Sequence, residues 1–349
     1  MRVNTFPGAM TVKSGERVLI PGEDYLVKAS SAGIHGSFPL VFVSLDMLQT
    51  DSAFDALKAM NLRRSLVVLD TMSFDKEHID KRYKFIEHNG LRSAGVVIQS
   101  KRRLIWTVAR NQATYFSLEI KPGALSRKDS ILSLDVDAKF VNRFKARNVW
   151  GMVKGTEFPD SFLVVTAHYD HLGMMGENTR FPGANDNASG TSMMLDLARY
   201  YANHPQKLSM VFIAFAAEEA GLVGSKYYTE HPAFTLDNIR FLLNLDLLGT
   251  GQEGITAVNA TLFESEFDLL KELNDKGGYL PKVVRRGKAA NSDHYWFSEK
   301  GVHCFFIYQM GSYDHYHDTG DKPELLPMVG YQNTIKLVED FFSALQKSN

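Results

Sequence analysis

The 349-residue chain has a single cysteine, almost no excess of either charge, and no apolar run long enough to span a bilayer. Each shortage excludes something. With Cys304 alone, no intrachain disulfide can form, and its setting in the apolar run GVHCFFIY reads as a buried structural thiol, not a nucleophile. A formal net charge of -1 leaves no electrostatic footprint for nucleic acid or an acidic membrane surface, which directs attention to a small or peptide substrate. The opening MRVNTFPGAMTV holds no continuous apolar stretch, so neither a signal peptide nor a membrane anchor is expected in this form.

The length accommodates one large α/β domain and a smaller one. Residues 16 to 127 read as short strands with a few helices. RVLIPG, PLVFVSLD, SLVVLDTM and AGVVIQS are β-rich, while DKEHIDKRYKFIEHNG has helical spacing and a closing glycine. The polar stretch PGALSRKDS (122 to 130) then separates a strand-rich domain, expected over 1–127, from a second over 128–349. In the second, strands and helices alternate: SFLVVTAH (161 to 168), the helix NASGTSMMLDLARYYANH (187 to 204), LSMVFIAFAAEE (208 to 219), IRFLLNLDLLG (239 to 249), VHCFFIYQM (302 to 310) and the closing helix PELLPMVGYQNTIKLVEDFFSALQ. That alternation predicts an open, mixed but mostly parallel sheet flanked by helices. The sequence shows no internal repeat.

Five polar clusters fall at or just beyond the carboxyl ends of these strands, where open α/β sheets bind ligands. They are HYDH (168 to 171), GANDNASG (183 to 190), AAEEAG (216 to 221), NLDLLG (244 to 249) and DHYHDTGD (314 to 321). They supply imidazoles and carboxylates without thiolates, a donor set suited to zinc or another borderline divalent ion.

Every cluster also has an ordinary structural reading. His168 alone is a hydrogen-bonded strand-end histidine; Asp170 adds weight to a ligand role, because a carboxylate two residues on can turn back to orient the ring. His171 reads as a neighbour without a ligand role. NDNASG is a turn and helix cap unless Asp186 presents both oxygens to two metals. Glu218 and Glu219 ordinarily mark a solvated helix start, yet adjacent carboxylates point apart, so one can bind metal while the other takes a proton from water. Asp246 inside LLNLDLLG is costly to bury without a partner, and a cation is the natural one. In the last cluster His317 is preferred over His315 as a ligand, and Asp293 and His294 in SDHYWF either support the site or start a helix.

Taken in order, these clusters resemble metallopeptidase family 28, the di-zinc exopeptidases that include bacterial leucyl-type aminopeptidases and glutamate carboxypeptidase. The likeness covers roughly residues 147 to 349, from RNVWGMVKG onward. It implies the zinc-exopeptidase fold and two zinc ions per chain, one held by His168, Asp186 and Asp246 and the other by Asp186, Glu219 and His317. Glu218 would be the general base. Tyr316, His317 and Asp321 match the family's closing motif, although Asp318 and Lys322 stand where threonine is more frequent. The N-terminal region looks like the protease-associated domain that many members carry, while the helical opening segment that relatives place before it is not seen. The resemblance implies an aminopeptidase acting on peptides, periplasmic or secreted. A carboxypeptidase, a single-zinc glutaminyl cyclase or a catalytically inactive binding protein are the alternatives that share the fold; the last would be expected to show broken ligands, and the set here is complete. Residue preference and oligomeric state are left open.

Overall fold

The computed structural model describes residues 1–70, 76–100 and 102–347, so that Thr71 and Met72 of SLVVLDTM and Asp75 of the following helical run lie outside the described residues. The chain packs as two compact units. One comprises Met1–Phe144, Leu172–Phe181 and His317–Thr319; the other comprises Lys145–His171, Pro182–Tyr316 and Gly320–Asn349.

The first unit contains β1 (Val3–Thr5), β2 (Met10–Ser14), β3 (Arg17–Leu19), β4 (Tyr25–Val27), β5 (Ile34–Val43), β6 (Leu66–Asp70), β7 (Gly95–Gln99), β8 (Phe116–Ile120), β9 (Ile131–Val136) and β10 (Lys139–Val141). Eight of them form one sheet in the order β3-β2-β9-β5-β6-β7-β8-β4. Its β5 to β8 segment is parallel, and the remaining pairs are antiparallel. Both faces are covered, which is why LVVLD and GVVIQ are continuously apolar instead of alternating. Leu66, Val68 and Val97 pack on one side. Val67, Leu69, Val96 and Ile98 pack on the other, together with Leu48 of α1 (Asp46–Gln49), Leu57 of α2 (Asp51–Ala59) and Ile86 of α3 (Lys76–Glu87). The sheet also absorbs β9, paired antiparallel to β2 on one side and β5 on the other, so the unit runs on to Phe144 where the composition placed a break at 127.

The second unit opens with β11 (Val149–Val153) and β12 (Phe158–His168). A short hairpin belonging to the first unit follows, β13 (Gly173–Met175) against β14 (Thr179–Phe181), and there Phe181 stacks on Trp106 with ring centroids 4.7 Å apart. The second unit resumes with β15 (Leu208–Phe215), β16 (Ile239–Leu245), β17 (Gly254–Val258), β18 (Val283–Arg285) and β19 (Cys304–Met310). These form a seven-stranded sheet in the order β11-β15-β12-β16-β19-β17-β18. Its centre, β15-β12-β16-β19, is parallel, whereas β11 and β17 run antiparallel to their neighbours β15 and β19. The mixed, mostly parallel sheet expected from the alternation is therefore present.

Pleating sends alternate residues of each strand to opposite layers. Leu163, Val165, Met210, Phe212, Leu243 and Phe305 pack with Met193 and Leu197 of α4 (Gly190–Asn203), Phe267 of α6 (Glu264–Gly277) and Phe341 of α8 (Tyr331–Leu345). Val164, Val211, Ile213, Leu242 and Cys304 face Tyr228 of α5 (Val223–Glu230) and Phe297 of α7 (His294–Ser298). Cys304 is fully buried and its thiol is pushed up to about 12 by burial, as suits a structural residue. The closing helix starts only at Tyr331: Gly330, with φ of +76°, turns the chain into it, and Pro323–Leu325 forms a separate turn. Among the described residues, no helix is long and apolar enough to cross a membrane.

Candidate metal centre

Strand β12 lies between β15 and β16, so the chain leaves it toward one neighbour and later returns to the other. This is the reversal of strand order at which open α/β sheets form a crevice at their carboxyl ends. His168 is the last residue of β12 and pairs in register with Phe215, the last residue of β15. Glu218 and Glu219 follow just beyond β15, and Asp246 is the first residue beyond β16. Two left-handed residues bend the chain there: Ala217 (φ +63°) immediately before Glu218, and Leu247 (φ +59°) immediately after Asp246. A side chain in this conformation costs on the order of 1–3 kcal/mol, which the surrounding packing must offset.

The structure brings His168, Asp186 and Asp246 together. His168 Nε2 lies 3.3 Å from an oxygen of Asp186 and 3.4 Å from one of Asp246. All three side chains are buried. On the far side of the ring, Nδ1 donates to the backbone carbonyl of Asp170 at 3.1 Å. A carbonyl can only accept, so Nδ1 carries a proton and Nε2 is the nitrogen that faces the carboxylates.

Asp170 thus orients the imidazole through its backbone, not through the side chain as the spacing suggested. Its carboxylate, 3.9 Å from Nδ1, accepts the backbone N–H groups of Glu218 (3.1 Å) and Glu219 (3.3 Å) instead. Two N–H donors outcompete one ring nitrogen for the same oxygens, and they fix the turn that carries the two glutamates.

Asp186 sits in a tight turn over Ala184–Ser189 that leads into α4, and the Asp186–Asn187 peptide is cis. The turn is tied down at both ends. The carboxylate of Asp321 accepts the N–H groups of Asn185 (2.9 Å) and Asp186 (3.1 Å) and the Tyr313 hydroxyl (2.8 Å). The Asn187 amide donates to the Leu245 carbonyl at 2.9 Å, joining the turn to the end of β16. Just past that strand, the second oxygen of Asp246 accepts from Ser292 Oγ (2.9 Å), which in turn accepts from the Asn244 amide (2.8 Å).

Electrostatically the cluster calls for cations. Burial lifts Glu218 well above the carboxylate range; His168 pulls the other way, while Asp293, Asp246 and Glu219 raise it further. Burial likewise pushes Asp293 up to about 7, with Asp170 and Asp246 adding to the effect. For His168, burial disfavours charge, yet Asp246 and Asp186 outweigh it and raise its pKa well above the ordinary value. A positive charge is wanted at Nε2, and a divalent ion meets that demand better than a proton because it also compensates the surrounding acids. Two ligand groups have donor atoms converging within 4.8 Å: His168, Glu218 and Asp246, and His171, Asp186 and Glu219. Imidazole nitrogen with carboxylate oxygen is a donor chemistry that fits zinc.

His317 belongs to the first unit. There its carbonyl accepts the Trp106 N–H (2.9 Å) and its Nδ1 donates to the Trp106 carbonyl (3.1 Å). His315, passed over as a ligand, lies against Gly320, where an added Cβ would fall 2.2 Å from its Nδ1. Asp293 is the buried residue just before α7 whose charge acts on Glu218; His294 is buried as well, with burial pushing its pKa down to about 3.

Sequence reasoning assigned no role to two residues that the fold brings to the site. One is His171, whose Nδ1 is 2.8 Å from Glu219 Oε1. The other is Tyr316, whose phenol is kept protonated by burial and by the nearby charges of Asp186, Glu219, Asp246 and Glu218. The signal for Tyr316 was its place beside His317; for His171 it was the pair of histidines flanking Asp170 in HYDH.

An open α/β sheet with imidazole–carboxylate groups at a reversal of strand order defines a metal-binding enzyme architecture. The chain belongs to peptidase family M28, whose model matches residues 148–342. Among similar proteins, aminopeptidase YwaD of Bacillus subtilis is 33% identical over 183 residues, 50% of this chain and 37% of the relative. A probable zinc metalloprotease of Pyrenophora teres is 39% identical over 111 residues, 31% of this chain and 23% of the relative. The matched stretches thus span well under half of these relatives' lengths. In fold, the chain is similar to BSAP, a zinc aminopeptidase from Bacillus subtilis, with a TM-score of 0.69, 21% identity and coverage of 99% of this chain and 84% of that one. It is also similar to a peptidase M28 precursor from Shewanella amazonensis, with a TM-score of 0.68, 17% identity and coverage of 99% and 83%.

Proposed function

We propose that the protein is a zinc-dependent exopeptidase that removes N-terminal residues from peptides with two metal ions. The observation that carries this reading is the convergence of buried His168, Asp186 and Asp246, with Nε2 at 3.3 and 3.4 Å from the two carboxylates, beside a second group containing Asp186 and Glu219. Asp186 is common to both, as a bridging carboxylate must be. One ion would be held by His168, Asp186 and Asp246, the other by Asp186 and Glu219. Membership of a peptidase family and the likeness to zinc aminopeptidases support the assignment.

When bound, the two ions supply Lewis acidity toward water and the peptide carbonyl. The remaining work falls to the chain's own residues. Glu218, whose carboxylate is disposed to hold a proton, takes one from the attacking water and returns it to the leaving amine. Asp170 holds the Glu218 backbone in place through the N–H contact. Tyr316, kept protonated by burial and by the charges of the same acids, would offer an O–H donor where negative charge develops on the substrate oxygen.

The test is cleavage of matched free-amine and N-acetylated peptides by the zinc-loaded protein, with Glu218→Gln alongside. Hydrolysis of free-amine peptides alone, reduced about 10²- to 10⁴-fold in the variant with metal content unchanged, is the expected result. Turnover of blocked peptides would point to a carboxypeptidase or endopeptidase, and a fully active Glu218→Gln protein would remove the proposed base.

A further inference from the structure

His171 lies three residues beyond the strand-end ligand His168, past the turn after β12. Its side chain is 9% exposed and that of Glu219 is 5% exposed. The ring nitrogen Nδ1 stands 2.8 Å from Glu219 Oε1, and donor atoms of His171, Asp186 and Glu219 all fall within 4.8 Å of one another. All three residues belong to the second unit.

The ring also has a built seat. Gly183, at the head of the turn that carries Asp186, adopts φ of +68°, and a Cβ there would lie 2.5 Å from His171 Cγ and 2.4 Å from the Asp186 carbonyl oxygen. Any side chain at 183 would displace the imidazole, the Asp186 backbone or both. The glycine therefore serves the approach of His171 to the bridging aspartate as well as the turn itself. A histidine aimed only at solvent would need no such clearance.

We propose that His171 is a ligand of the zinc ion assigned to Asp186 and Glu219, adding an imidazole to that site from within the second unit. The inference rests on the two-zinc reading above. It gives this metal a nitrogen donor on the same unit as its two carboxylates. The second metal is then the one whose retention depends on the HYDH sequence at position 171.

The experiment is metal binding to the full chain, measured by competition with a chromophoric chelator and by the visible spectrum of the cobalt-substituted protein. Wild type is compared with His171→Ala and with His171→Gln, which retains most of the side-chain volume, and circular dichroism establishes that the variants are folded. The expected result is two ions on the wild type and a loss of roughly tenfold or more in affinity for one ion in both variants, with an altered cobalt spectrum. Two ions held with wild-type affinity and an unchanged spectrum in either folded variant overturn the proposal while leaving the two-zinc reading intact. Fewer than two ions on the wild type overturn the two-zinc reading, and the proposal with it.

Discussion

The carboxylate of Asp170 accepts the backbone N–H of Glu218 at 3.1 Å, with a second contact to the next N–H in the chain. This ties the general base proposed for the reaction to the loop that follows β12. In Asp170→Asn an amide NH₂ replaces one acceptor and meets an N–H, so one contact is lost and the Glu218 turn loosens. Turnover is expected to fall about 10- to 100-fold with both metals retained. Steady-state kinetics with metal analysis checks this, and wild-type turnover in the variant would deny Asp170 a positioning role.

Asp321 holds the turn around Asp186 through two backbone N–H groups and the Tyr313 hydroxyl. In Asp321→Ala these buried donors lose their acceptor, at about 1–3 kcal/mol for each group left unsatisfied. The midpoint of chemical unfolding should drop accordingly, and zinc affinity should weaken because the Asp186 carboxylate proposed to bind metal is no longer fixed. Unchanged denaturation and zinc titration curves would contradict this account.

Crowding of Glu218 with Asp246, Asp293 and Glu219 means that the folded protein without metal carries unfavourable charge. Metal that binds the folded state alone stabilises it by mass action, about 4 kcal/mol at a thousandfold excess over Kd. Removing zinc with a chelator should therefore lower the thermal midpoint, and zinc should restore it. Midpoints indifferent to zinc would mean that the buried acids are not a metal centre.

His294 offers a separate pH test. Burial holds its pKa at about 3, below the ordinary value of 6.5. Above pH 6.5 the ring is neutral in both folded and unfolded chains and contributes no pH dependence. As pH falls below 6.5 the unfolded chain takes up the proton first, so stability is lost down to about pH 3. The loss approaches about 1.4 kcal/mol per pH unit. Measured as a difference, wild type should lose stability relative to His294→Leu across this window, and a difference independent of pH would refute the assignment.

The strands of the second unit could be read from the sequence because its apolar runs are long, whereas the closing helix begins at Tyr331 and not at Pro323. The expected runs overshot the observed strands: LSMVFIAFAAEE continues to Glu219, but β15 stops at Phe215, and IRFLLNLDLLG passes Leu245, where β16 ends. The cause is local. Ala217 and Leu247 take left-handed conformations that no hydrophobic pattern announces, and they release Glu218 and Asp246 from their strands. The first unit proved to be a mixed sheet flanked by helices, extended by β9 through backbone pairing that side-chain composition does not encode.

The sequence by itself determined the chemistry: imidazoles and carboxylates without a thiolate, placed just past buried strands, in an order that belongs to a peptidase family. Only the tertiary structure decided which of these groups meet. Strand order put His168 between the ends of β15 and β16. Backbone donors drew the Asp170 carboxylate away from His168 and onto the glutamate turn. The missing side chain at Gly183 made room for His171 beside Asp186. These outcomes rest on close backbone approach and on competition among hydrogen-bond partners distant in sequence, which residue type and spacing alone do not specify.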